Sequence, residues 1–235
     1  MCDKIRIFKS MRNQTVIRTL IREMLNEVMR TPLDVEMPNM RVDVNFSGSN
    51  VITISLTNRD PITKTNTPSG QLEAAKIRGE HGAQCISAAR QDLTGTPWQI
   101  KWSKATPGWG PFLYHLMLQL IEENDPTSAG LMADRDEVTP EAEGVWKKFN
   151  SGIDPNIEFE QMDDELNTIT PGIEQDNCSQ HSATSARDAG SLKDKLLDSP
   201  ITKVYRRKPG ARDWKGELIK MGIYYEKHSG SGYDD

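Results

Sequence analysis

The chain has 235 residues, 36% of them hydrophobic and 27% charged, and a formal net charge of −5. That length holds one large domain, or one domain with appendages, and a mean hydropathy of −0.62 leaves apolar side chains for a core in only part of it. The negative balance argues against a nucleic-acid-binding protein as a whole, and no stretch approaches the ~20 apolar residues that span a bilayer.

Residues 1–9 lack the continuous apolar core of a signal peptide. Cys2, Cys85 and Cys178 are widely spaced, odd in number and without a C-x-x-C pair, so no disulfide framework is expected and a reducing compartment is the simplest reading. The expectation is a soluble protein, intracellular or inside a particle assembled in a cell, with no membrane partner.

Thr15 to Met29 reads as an amphipathic helix. Val16, Ile17, Leu20, Ile21, Met24 and Leu25 fall on one wide apolar stripe, with Arg18, Arg22 and Glu23 opposite, and Pro32 stops it. Such a helix packs on its own domain or inserts into a partner's groove. Met40 to Phe46 and Val51 to Thr57 alternate in period two around a Ser-Gly-Ser-Asn turn, the pattern of a β-hairpin. Asp60 to Gly70 reads as loop, and Leu72 to Ile77 as a short helical turn. Gln84 to Arg90 and Trp98 to Lys104 are the next strand candidates.

Gly108-Trp109-Gly110-Pro111 follows the second of these and opens an apolar helix running to about Glu123. A strand, a tight glycine turn and a helix N-terminus can hold an anion on backbone N–H groups. Pro107 and Pro111 withhold two of those donors. Gly130 to Ala133 reads as a short strand. Thr139-Pro140-Glu141 is a helix start, with a threonine cap and proline in the first turn; the helix runs to about Phe149, and Gly152 ends it.

Beyond Ser151 the charge segregates. Residues 154–176 hold eight acidic side chains and no Lys or Arg, and residues 199–228 hold eight Lys or Arg against three acids. This last third reads as an extended arm. Lys203, Arg206, Arg207, Lys208 and Arg212, interleaved with Tyr205 and Trp214, would touch DNA phosphates or pair with acidic groups, and the net charge favours the acids. Asp134-Arg135-Asp136 reads as a local ion-pair cluster. Asp163, Asp164, Asp176, Cys178 and His181 match no zinc or calcium spacing, so no metal site is expected.

The element order resembles the core of the GNAT-type N-acetyltransferase fold, whose turn after the fourth strand reads Arg/Gln-x-x-Gly-x-Gly/Ala. Here Ala105-Thr106-Pro107-Gly108-Trp109-Gly110 matches at the glycines and departs at the Arg/Gln position. A closer resemblance, over most of the chain, is to GNAT-like proteins encoded by tailed bacteriophages. It rests on Leu20 to Leu25, Gly108 to Tyr114, Gly130 to Arg135, Val138 to Trp146, Asn167 to Pro171 and Asp176 to Cys178.

The resemblance implies an α+β fold, with a GNAT-like mixed and antiparallel sheet flanked by helices. Residues 1–38 would be the helix and linker, 39–152 the core and 153–235 the arm. It implies Gly108, Trp109 and Gly110 as the cradle of an acyl-CoA pyrophosphate. In an acetyltransferase a strand N–H polarises the thioester, Tyr114 would be the acid and Glu141 the base. Tyr114 also reads as a buried anchor of its helix, and Glu141 as a complement to the helix dipole. Two functions follow. One is a virion component, in the host cytoplasm before assembly, docked to other particle proteins through the N-terminal helix stripe and the arm, with an oligomer possible. The other is an acetyl-CoA-dependent N-acetyltransferase made by a phage.

Overall fold

The computed structural model describes residues 39–77, 95–134, 136–162, 172, 178 and 197–229. The helix expected at 15–29, the strand expected at 84–90 and Arg135 lie outside them.

Among the described residues, eight strands form one mixed sheet, with three α-helices. The strands are β1 Met40–Ser47, β2 Val51–Arg59, β3 Asn66–Lys76, β4 Trp98–Ala105, β5 Leu131–Met132, β6 Ile157–Gln161, β7 Lys203–Arg207 and β8 Tyr224–Ser229. The helices are α1 Gly110–Asn124, α2 Pro140–Asn150 and α3 Trp214–Lys220. Across the sheet the order is β6-β7-β5-β4-β3-β2-β1-β8. β1 to β4 form an antiparallel meander, and β8 lies parallel to β1 and β5 parallel to β4.

The hairpin forms where period two predicts it. Val42, Val44 and Phe46 face Leu56, Ile54 and Ile52 across the pair, all buried. One expectation fails next to it. Leu72 to Ile77 is not a helical turn: Leu72 and Ala74 point inward at 0% exposure, while Gln71 and Glu73 point outward, and β3 pairs on both sides. Two ladders of cross-strand bonds outweigh the weak local preference of a short Leu-Glu-Ala-Ala run.

α1 buries every residue from Phe112 to Ile121. A helix apolar on all sides belongs in the middle of a fold, here between the sheet, α2 and α3. Its polar exceptions bond to other elements, although His115 Nδ1 has no partner among the described residues. His115 Nε2 lies 2.8 Å from Asp154 Oδ2, and Gln119 donates to Asp213 Oδ1 at 2.7 Å and accepts from the Lys215 amide at 3.2 Å. α2 begins as its sequence predicts, with Thr139 Oγ1 accepting from the Ala142 amide.

The segments described beyond residue 153 are not an arm. β7 inserts between β5 and β6, with Val204 and Tyr205 at 0% exposure, and α3 packs Trp214 and Leu218 on α1. Part of the charge segregation that looked arm-like is neutralised within the fold, between strands, strand and helix, and loop and helix. Arg206 Nη2 meets Glu160 at 3.1 Å, Arg207 meets Glu122 at 3.2 Å, and Arg212 meets Glu217 at 2.9 Å. Arg206, Arg207 and Arg212 therefore pair with acids of their own chain.

A second, smaller apolar cluster of Ala129, Met132, Met162, Cys178 and Val204 lies beside the main core. Cys178 is disulfide-bonded there.

Lys203 is buried among these elements. Its ammonium donates to Gln161 Oε1 and to the carbonyls of Leu197 and Ser199. Burial pulls its pKa down to about 8, with Asp198 opposing. Between about pH 8 and the ordinary lysine value the unfolded chain holds a proton that the folded one has released. Stability should therefore rise with pH across that window, by about 1.4 kcal/mol per unit at most. Urea midpoints at about pH 7 and about pH 9.5 should show the rise, and Lys203→Met should abolish it.

Candidate functional site

β4 and β5 touch at only two residue pairs, Trp98↔Leu131 and Gln99↔Met132, after which β4 runs on to Ala105. Beyond Gln99, the β4 edge directed away from β3 has no strand partner among the described residues. Half of its backbone N–H and C=O groups point to that side. The register with β3 slips there as well: Trp102 faces Glu73 and Ile100 faces Ala74, leaving Lys101 as a bulge. A bulge turns backbone groups out of the ladder, and such irregularities recur beside binding sites.

A cavity of about 490 Å³ opens past the bulge, along Ser103 to Ala105 of β4 and Gln71 and Leu72 of β3, with the glycine turn and α1 at its end and α2 on its flank. Gly108, Gly110, Tyr114 and Glu141 all line it. Four of the five residues named from the sequence therefore meet around one space. The fifth, Trp109, caps α1 but turns its indole into the core, 2% exposed and edge-on to Phe112.

The turn is built by backbone bonds. Thr106 donates its amide and its hydroxyl to Ser69 O, and the Trp109 amide closes back on Thr106 O. Gly108 sits at φ +92°, which a glycine adopts freely. No side chain caps α1, and no acid stands in its first turn. The amides of Gly108, Gly110 and Phe112 have no protein acceptor among the described residues, and Pro111 has no N–H to give. Lys104 is the one cation among the described wall residues.

Tyr114 is 2% exposed, with its ring centroid 5.0 Å from that of Trp146 and its hydroxyl 3.4 Å from Ser103 Oγ. Burial pushes its pKa up to about 12 against the opposing hydrogen bond, so it stays protonated at neutral pH. Glu141 stands at the rim, exposed in the first turn of α2. The neighbouring Glu143 instead pairs with Lys147 at 3.0 Å. Asp134, read as part of an ion-pair cluster, accepts from Gln99 Nε2 and the Asp136 amide.

Sequence reasoning missed the buried His115–Asp154 pair, which ties α1 to the loop after α2. Burial works against the Asp154 carboxylate, but the His115 and Asn156 contacts prevail and hold its pKa below the usual range. Only the fold brings these two residues together. Among the described residues no group of three His, Cys, Asp or Glu could hold a metal ion, and no helix is long and apolar enough to cross a membrane.

Comparison with protein families, with curated proteins and with solved structures returns no match for this chain.

Proposed function

We propose that the chain is a GNAT-like protein whose cleft beside β4 receives an acyl-CoA such as acetyl-CoA. The observation that carries this reading is the cavity itself. It opens at the far end of β4, along Ser103 to Ala105, includes the open amides of Gly108 and Gly110 in its lining, and has Lys104 in its wall. Its volume is that of a small-ligand site. The bound thioester would supply an activated acyl group. Gly108, Gly110 and Lys104 would hold its phosphates, with fewer donors than a turn without Pro107 and Pro111 would offer. Backbone N–H groups on the strand-free edge of β4 at Ser103 to Ala105 would face the carbonyl. Glu141 would take the amine proton, and Tyr114 would act only as a hydrogen-bond donor.

Calorimetric titration with acetyl-CoA tests the reading. A one-to-one isotherm in the micromolar range is expected. Gly110→Trp should weaken it at least tenfold, roughly, by filling the cavity. A Cβ introduced at position 110 would meet only Val145 Cγ2, at 3.4 Å, so smaller substitutions of Gly110 should fold and serve as controls. A flat trace for the parent protein would overturn the reading.

A second reading, a virion-associated structural protein using this fold as a scaffold, is favoured by the sparseness of reacting groups. Tyr114 is withdrawn into the core, and Glu141 is the one carboxylate among the described wall residues. Binding without turnover, or neither, suits a scaffold. Its absence from a mass-spectrometric inventory of purified phage particles would remove this reading.

A further inference from the structure

The sheet has two faces, and the helices among the described residues account for one. On the other, over β1, β2, β3 and β8, the strands present Arg41, Asn45, Thr53, Ser55, Glu73 and Lys227 in register. At one end of this face lies a groove of about 660 Å³ whose lining includes Arg41, Arg59, Lys64 and Tyr225. At the other end Trp102, directly across from Glu73 on β3, is 47% exposed. Four strand spacings, roughly 19 Å, separate β8 from β4.

Three features of this face call for an explanation. First, its charge opposes that of the chain. Arg41, Arg59, Lys64, Lys101 and Lys227 stand against Asp43 and Glu73. Asp43 is held by Arg41 at 2.6 Å, and Glu73 accepts from Thr53 Oγ1. Asp60, next to Lys64 in the turn, is engaged by the amides of Ile62 and Thr63. Among the described residues Arg59, Lys64 and Lys227 have no ion pair.

Second, Lys64 sits at φ +59°, the one non-glycine residue at positive φ among those described. That conformation is unfavourable for a lysine and natural for Gly or Asn. A lysine there keeps a charge in the groove against the local preference. Third, Trp102 is the exposed member of the five tryptophans; Trp98, Trp109, Trp146 and Trp214 are each 2% exposed or less. Large aromatic side chains in open water, on a polar face, are where bases stack.

We infer that this open sheet face binds single-stranded nucleic acid, with phosphates on Arg59, Lys64 and their neighbours and a base stacked on Trp102. An acidic polypeptide would engage the cations but has no use for the flat ring. A duplex has no free base faces to stack. The inference does not depend on the acyl-CoA cleft, which lies at the end of α1.

The test is a titration of the full chain with an oligothymidylate about twenty nucleotides long, at about 50 mM salt. Intrinsic fluorescence reads Trp102, because the other four indoles are shielded. Quenching that saturates in the micromolar range and weakens with salt is expected. In anisotropy with a labelled oligonucleotide, Trp102→Ala should lose about tenfold in affinity, while Trp102→Phe keeps a ring and should retain most of it. The double variant Arg59→Gln, Lys64→Gln should reduce the logarithmic salt slope by about 1.4. No binding, affinity unchanged in both the Trp102→Ala and the double variant, or equal displacement by polyglutamate would each overturn the inference.

Discussion

Gly130→Ala is expected to unfold the protein or to remove at least ~3 kcal/mol of stability, a large part of a typical domain's margin. Gly130 sits at φ +121°, outside the range of L side chains, directly before β5. A Cβ there would lie 2.4 Å from Tyr205 O, 2.9 Å from Arg206 Cγ and 3.0 Å from Val204 Cγ2. The first contact is with backbone of the neighbouring strand and cannot rotate away. The glycine is also fixed on its other sides: its amide donates to Ser128 Oγ at 3.1 Å, and its carbonyl accepts from the Trp98 amide at 2.8 Å. Relief would require β7 to move off β5. Denaturant unfolding measures the loss, and a change below ~1 kcal/mol would show that the close approach of these strands is not as described.

The second large effect belongs to Trp146→Ala, expected at ~3–5 kcal/mol from the cavity left behind. Trp146 is 1% exposed and stands among three aromatic rings: Tyr205 with centroids 4.9 Å away, Tyr114 at 5.0 Å and Phe149 at 6.2 Å. Edge-to-face pairs add to the area term, so the loss should exceed that of an aliphatic truncation. Two of the partners tie the effect to distant parts of the chain. Tyr205 donates from β7 to Pro200 O at 2.7 Å, and Tyr114 forms part of the wall of the candidate cleft. Trp146→Ala should therefore weaken acetyl-CoA binding as well as stability. Trp146→Phe should recover part of both, and a variant that lost stability without touching ligand affinity would detach the cluster from the cleft.

What could be read from the sequence was local. The hairpin, β4, α1 and α2 each carry their own signal, whether an alternation, an apolar run, a cap or a proline at the first turn. β6 and β7 carry none strong enough. Their five residues each owe their conformation to partners more than forty residues away, such as Glu160↔Val204, and their acidic and basic side chains read as solvated until the pairing is known. β3 was misread for the same reason, since Leu72 and Ala74 become strand residues only once β2 and β4 flank them.

The glycine turn was legible because an anion cradle is made from consecutive residues. The room beside it was not. The cleft exists because Gln71 and Leu72 of β3, the end of β4, the glycine turn and the start of α2 meet around it, and because β4 there has no strand partner on its far side among the described residues. Neither fact is written in the residues that line the space. Trp109 shows the converse limit: it lies inside the motif, yet its indole serves the core.

The pairing of β8 with β1 has a consequence for how the molecule comes into being. Val42 meets Tyr224 in a parallel register, so the strand that opens the described fold is sealed by one made about 180 residues later. During synthesis β1 emerges early and waits with one edge uncovered. β2 can close the opposite edge within moments, but nothing local closes this one. A nascent or refolding chain therefore passes through a state in which a strand with an apolar face offers its backbone to any neighbour. The yield of active protein should depend on chain concentration and on chaperones more than the final stability would indicate.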